Sequence, residues 1–217
     1  MPAPAVVSTR HEYDHLFSIY VPIAIGVFAV IVLAVVIAVV AFARRPPERA
    51  ARWSEKNAVE GSYALLLACV AAFLLYLTFS AEHKVDTVAG RQHRALMLDV
   101  TGSKWEWTLS YPAYGFSVRS GTVGRQPFVV PAGEAVRVNL TSADVIHAFW
   151  IPALRYKHDA IPGSTQVTTL TFSEGVFPAQ CAEFCGLRHS DMVFTVHAVS
   201  PAAFAAWARS KGTAPTP

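Results

Sequence analysis

Charge is what this sequence has least of. Asp, Glu, Lys and Arg make up 15% of its 217 residues, against ~25% in a soluble domain. Cysteine is scarce as well, with three in the chain. None forms Cys-x-x-Cys-His, so there is no attachment site for a c-type haem. No basic run interleaved with aromatics is present, which removes nucleic acid as a partner. A phosphate-binding loop, a nucleophile–base pair and paired acid–base carboxylates are also missing, so the chain carries no bond-making active site of its own.

The missing charge is concentrated in two uncharged, apolar stretches, residues 17–43 and 61–80, of 27 and 20 residues. A helix needs ~20 apolar residues to cross a bilayer core, so both can span. A cleaved signal peptide is the competing reading, but its apolar core runs only ~7–15 residues behind a basic start. Residues 1–16 carry one Arg against Glu12 and Asp14. Five basic residues (Arg44, Arg45, Arg49, Arg52, Lys56) sit in the 44–60 loop between the stretches. The positive-inside rule therefore places that loop in the cytoplasm and both chain ends outside. The expected layout is an exoplasmic arm (1–16), transmembrane helix 1 (17–43), cytoplasmic loop (44–60), transmembrane helix 2 (61–80) and an exoplasmic domain (81–217).

That last segment, with twelve basic and ten acidic residues, is long enough for one compact core. Its texture is β. Short runs rich in Val, Thr, Phe and Trp predict strands at 95–100, 104–109, 116–119, 127–130, 135–140, 166–172 and 192–199. Turn signals at Gly121, Gly124, 131–133 and 162–163 separate them, the spacing of a sandwich or barrel. Residues 201–211 predict a closing helix, with Pro in its first turn and Gly212 past its end. Residues 212–217 read as a frayed tail.

The chemistry-bearing run is Cys181-Ala-Glu183-Phe-Cys185-Gly-Leu-Arg-His189-Ser-Asp-Met192. Thiolates, an imidazole and a thioether crowded together suit copper. His147, 34 residues before Cys181, supplies a second imidazole. Cys185, His189, Met192 and His147 already make a complete blue-copper set, and Cys181 is then left over. The economical solution is two copper ions bridged by both thiolates, each with one terminal His. Met192 and a backbone carbonyl near Glu183 would add weaker bonds. Sharing one electron over two ions keeps bond changes small, which suits electron transfer. Three alternatives remain open on the residues alone: a Cys181–Cys185 disulfide in a membrane-anchored binding module, a zinc site and a mononuclear copper site with a spare thiol.

These residues resemble subunit II of the haem–copper cytochrome c oxidases, which carries the binuclear CuA centre. The similarity runs from about His11 to Gly212. It includes the helical hairpin, Ser142-Ala-Asp144-Val-Ile-His147, Lys157-His-Asp159-Ala-Ile-Pro162-Gly163 and the Cys–Glu–Cys–His–Met loop. The resemblance implies a two-helix transmembrane hairpin followed by an all-β, cupredoxin-like Greek-key barrel. It implies copper ligands at His147, Cys181, Glu183 (backbone oxygen), Cys185, His189 and Met192. It also implies a magnesium ion on the Glu183 carboxylate, shared with the catalytic subunit. The implied partners are that haem-bearing catalytic subunit I, the other oxidase subunits, a cytochrome c-type donor and the membrane. Related quinol oxidase subunits lack the copper ligands present here, and soluble nitrous-oxide reductase has Trp where this chain has Glu183. The copper subunit of a nitric oxide reductase is not separated by the loop.

Further roles come from the same resemblance. Trp105 aligns with the Trp through which electrons enter from cytochrome c, in a patch that includes Trp107. Glu106 replaces the family's intervening Tyr. The alternative for either Trp is core packing. Glu60 aligns with the mouth of a proton channel, against the plain reading of a carboxylate at a helix amino end. Asp144 and Asp159 are candidates for holding a ligand from behind or for docking. Ser164 stands where the family often has Arg. Cys69 reads as a packed small side chain in the second span. His11, His15, His83, His93, His158 and His197 read as surface or packed histidines.

Overall fold

The computed structural model describes residues 9–43, 56–90 and 95–211. The loop arginines, His93 and the 212–217 tail lie outside them. The chain divides into a helical unit, Tyr13–Glu82, and a β unit.

Two long helices form the first, α1 (Thr9–Phe42) and α2 (Asn57–Gly90). Both outrun the apolar stretches, because helical hydrogen bonding does not depend on apolarity. Helix α1 begins eight residues before Phe17, and α2 continues ten past Ser80. Their most apolar windows reach mean hydropathies of 3.4 and 2.3, yet 0% and 6% of those windows is buried within the chain. Helices of a soluble core would hide such faces. Here they are left for lipid, and the chain is membrane-anchored. Tyr20 ties the helices by donating to the Leu74 carbonyl at 2.6 Å and by pairing with the Thr78 hydroxyl. Cys69, expected to be packed, is exposed on α2.

Among the described residues ten strands build the β unit: β1 (Leu96–Ser103), β2 (Glu106–Tyr111), β3 (Phe116–Gly121), β4 (Phe128–Pro131), β5 (Ala135–Ser142), β6 (His147–Ile151), β7 (Tyr156–Ala160), β8 (Gln166–Thr171), β9 (Gly175–Cys181) and β10 (Val193–Val199). One sheet has the order β3-β2-β1-β5-β8 and the other β4-β10-β9-β6-β7. The pairs β1/β5 and β4/β10 are parallel and the rest antiparallel. This is a barrel-like sandwich of cupredoxin type. Alternation drives it: along β2, Trp107, Leu109 and Tyr111 are buried and the residues between them are less so. Tyr111 fastens the sheets together, its hydroxyl donating to Val129 O at 2.7 Å and accepting from Val129 N at 3.1 Å. Helix α3 (Pro201–Lys211) closes one end, with Trp207 edge-on to Tyr111 at 5.3 Å.

The residue pattern predicts seven strands, and β6, β7 and β9 are additional. Strand β9 contains Gly175 and Pro178, which argue against a strand. Its pairing to β6 involves only Phe149↔Cys181 and Trp150↔Gln180, beyond the proline. Strand β6 is buried at four of five positions and so shows no alternation.

Candidate metal centre

Two structural sources supply the candidate ligands. His147 opens β6 and Cys181 closes β9, and the Phe149↔Cys181 pairing brings those strand ends together. Cys185, His189 and Met192 follow in the loop from β9 to β10. Gly186, at φ 118°, makes the turn after Cys185, and a Cβ there would lie 3.4 Å from Trp105 Nε1. Only glycine combines that backbone angle with the close approach to the indole.

The donor atoms converge. Cys181 Sγ lies 3.8 Å from His147 Nδ1, 3.4 Å from the Glu183 carbonyl oxygen and 3.9 Å from Cys185 Sγ. Cys185 Sγ lies 3.5 Å from His189 Nδ1 and 3.8 Å from Met192 Sδ. The ligand atoms of His147, Cys181 and Cys185 fall within 4.8 Å of one another, and all three residues are buried. Both cysteines are free, and 3.9 Å is nearly twice the ~2.05 Å of a disulfide. It also fits within two metal–sulfur bonds of ~2.3 Å, so an ion can contact both sulfurs.

Electrostatics favour a cation here. Burial disfavours ionisation of Cys181, but hydrogen bonds from His147 and neighbouring backbone outweigh it, and its thiol pKa is lowered. Burial and the adjacent Cys181 charge push Cys185 up to about 12. Two thiolates this close require positive charge between them, and soft sulfur with imidazole and thioether is a copper donor set.

Asp144 fixes the orientation of His147. Its Oδ1 sits 2.9 Å from His147 Nε2 and accepts from Val145 N at 2.6 Å, while Oδ2 accepts from Lys104 N at 2.8 Å. Burial opposes its charge, but these hydrogen bonds prevail and hold the carboxyl below its usual range. An ionised carboxylate only accepts, so Nε2 carries a proton, and with a metal bound Nδ1 would be left to offer its lone pair to the ion.

The other candidates are placed as follows. Trp107 is fully buried and edge-on to the His147 ring at 5.8 Å. Trp105, half-buried in the turn before β2, lies against Gly186. Trp105 is therefore reachable from solvent and Trp107 is not. The Glu183 carboxylate points away from the sulfurs, 3.7 Å from Lys157 Nζ, with both side chains about half exposed. Asp159 lies half-buried on β7, and among the described residues its carboxylate has no hydrogen bond or ion pair. Glu60 accepts from Lys56 N at 3.1 Å in the first turn of α2, the geometry of a carboxylate at a helix start. Gly102 is a functional position that the residue pattern does not single out. A Cβ there would stand 3.0 Å from His147 Cδ2 and 3.1 Å from Trp107 Cζ3. A glycine inside a strand-like run is the available signal.

A cupredoxin-type sandwich whose His and Cys side chains form a candidate metal site, carried on a membrane-anchored chain, defines the class of protein. The profile of "Cytochrome C oxidase subunit II, periplasmic domain" matches residues 122–199. A cytochrome c oxidase subunit 2 of Synechocystis sp. is 39% identical over 124 residues, 56% of this chain and 35% of that protein. The Cereibacter sphaeroides subunit 2 is 28% identical over 95% of this chain and 77% of its own length. The crystal structure of the periplasmic domain of subunit II of Bradyrhizobium japonicum cytochrome oxidase is 35% identical. It superposes with a TM-score of 0.51 over 54% of this chain and 92% of that domain. The chain belongs to the cytochrome c oxidase subunit II family. It spans about a third of the length of the Synechocystis relative.

Proposed function

We propose that this chain is the electron-accepting subunit of a terminal haem–copper oxidase. In this reading it takes single electrons from a reduced cytochrome c and passes them to haem in a separate catalytic subunit, where oxygen is reduced to water. The observation that carries this is the convergence of four donor groups around a 3.9 Å pair of free thiols. A bound copper pair would supply reversible one-electron chemistry.

The protein's own part is to hold the ligands still. Asp144 and the buried Trp107 clamp His147, and the β6/β9 pairing fixes Cys181. The exclusion of water around Met192, Cys181 and Cys185 keeps solvent from reorganising as charge changes. Trp105, packed on the ligand loop, is the proposed point where electrons enter. The Glu183 carboxylate would leave Lys157 to hold magnesium at the border with subunit I. Glu60 would stand at a proton entrance, and Asp159 would contribute to docking. The basic 44–60 loop supports a β unit on the exoplasmic, periplasmic side with both chain ends outside.

The test is copper analysis and electron paramagnetic resonance of the full chain in detergent. Two coppers per chain and seven hyperfine lines are expected, and one copper with four lines overturns the binuclear reading.

A further inference from the structure

Where the sheets meet beside β10, a cavity of about 290 Å³ opens between that strand and the segment joining β3 to β4. Its polar lining consists of Ser120, Arg125, Gln126, Thr195 and His197, and no carboxylate lines it. Pro127 and the apolar start of β10 make the remaining wall. The volume lies close to the ~300 Å³ at which pockets for small organic ligands begin, so it exceeds the needs of a bare inorganic ion.

The segment carrying Arg125 is held in place by backbone. Gly121 N donates to Gly124 O at 2.6 Å, and Gln126 N donates to Arg119 O at 3.2 Å. Ser120 and Arg125 form an isolated bridge. At Gly124 a Cβ would come within 2.8 Å of Arg119 O, so the turn is specific to glycine. Arg125 is exposed, and among the described residues its guanidinium has no hydrogen-bond or ion-pair partner. A free guanidinium, an imidazole, the Thr195 hydroxyl and the Gln126 amide, without a counter-charge, form a lining suited to an oxyanion. The apolar wall suits a hydrocarbon body attached to it.

We propose that this cavity binds a small organic anion, with a phosphomonoester or carboxylate head toward Arg125 and His197 and an apolar body against Pro127. It is independent of the copper reading. Strand β10 begins at Val193, directly after Met192, and Ser120 Oγ donates to Val193 O at 3.4 Å. An occupant would therefore touch the segment that carries one candidate copper ligand.

The experiment is calorimetric titration of the full chain in nonionic detergent with phenyl phosphate, with benzoate, and with phenol as the neutral control. Saturable binding of either anion, and none of phenol, is expected, and the tighter anion identifies the head group. Arg125→Ala should weaken that binding about tenfold or more, the scale of a lost hydrogen bond to a charged group, with an unchanged melting temperature. Failure of both anions to saturate in the millimolar range, phenol binding as tightly as the anions, or unchanged affinity in Arg125→Ala would each overturn the proposal.

Discussion

The centre has two halves that are built differently. His147 and Cys181 belong to strands. His147 is fully buried, its ring is bonded to Asp144 and packed against Trp107, and Cys181 N donates to Met192 O at 2.9 Å. Cys185, His189 and Met192 belong to a loop whose intervening side chains face solvent. Phe184 and Leu187 are 79% and 92% exposed. The strand half gains its position from the cooperativity of the whole sandwich. The loop half is held by one short 3-10 turn and its glycine. Substitutions in the strand half should therefore cost folding as well as metal, and those in the loop should act mainly on the metal.

The largest effect is expected at Cys181, where both halves meet. On the binuclear reading Cys181→Ser removes one of the two soft bridging donors. It should abolish the seven-line resonance, leaving at most one copper per chain by elemental analysis. An unchanged spectrum would show that the paired thiols do not share the ions.

Gly102→Ala probes the strand half without replacing a candidate ligand. The added methyl would meet His147 and Trp107 at 3.0 and 3.1 Å, and overpacking of this kind costs ~1–3 kcal/mol. The melting temperature should fall, and copper loading should fall with it. Leu187→Ala in the loop should change stability by less than ~0.5 kcal/mol, as for an exposed site. Equal losses from the two variants would erase the distinction between the halves.

Met192→Leu tests the loop half. Met192 is fully buried, with Sδ 3.8 Å from Cys185 Sγ. Leucine fills similar volume, so two coppers and the folded state should persist. The oxidised pair would lose a weak donor, and its reduction potential should rise in a potentiometric titration. Loss of copper instead would make Met192 a principal ligand.

The contrast between halves also marks what could be read from residue order. The loop candidates are legible because four donor side chains fall within twelve positions, a density that points to a metal site. Strand β2 and helix α3 are legible from period and punctuation. Strands β6 and β9 are not. A strand buried on both sides loses its alternation, and a Pro and a Gly inside β9 mimic a break, although its register places them beyond the pairing with β6. Asp144 can be named as a candidate from sequence. That it bonds Nε2, and so turns Nδ1 to the sulfur, depends on the β5–β6 turn geometry, which residue order does not encode. Gly102 and Lys157 meet the centre only through pairings distant in sequence.

The smallest effect is expected at Glu183, which sits among the candidate ligands and turns only its main chain toward the sulfurs. Its carbonyl oxygen lies 3.4 Å from Cys181 Sγ, while its carboxylate is turned to Lys157 at 3.7 Å. With both side chains about half exposed, that ion pair is screened by water, and its loss costs no more than ~1 kcal/mol. Glu183→Ala should accordingly retain two coppers, the seven-line signal and a nearly unchanged melting temperature, because alanine keeps the carbonyl in place. Copper loss in that variant would mean that the carboxylate reaches the cluster, and the assignment of the weak oxygen contact to the backbone would fail.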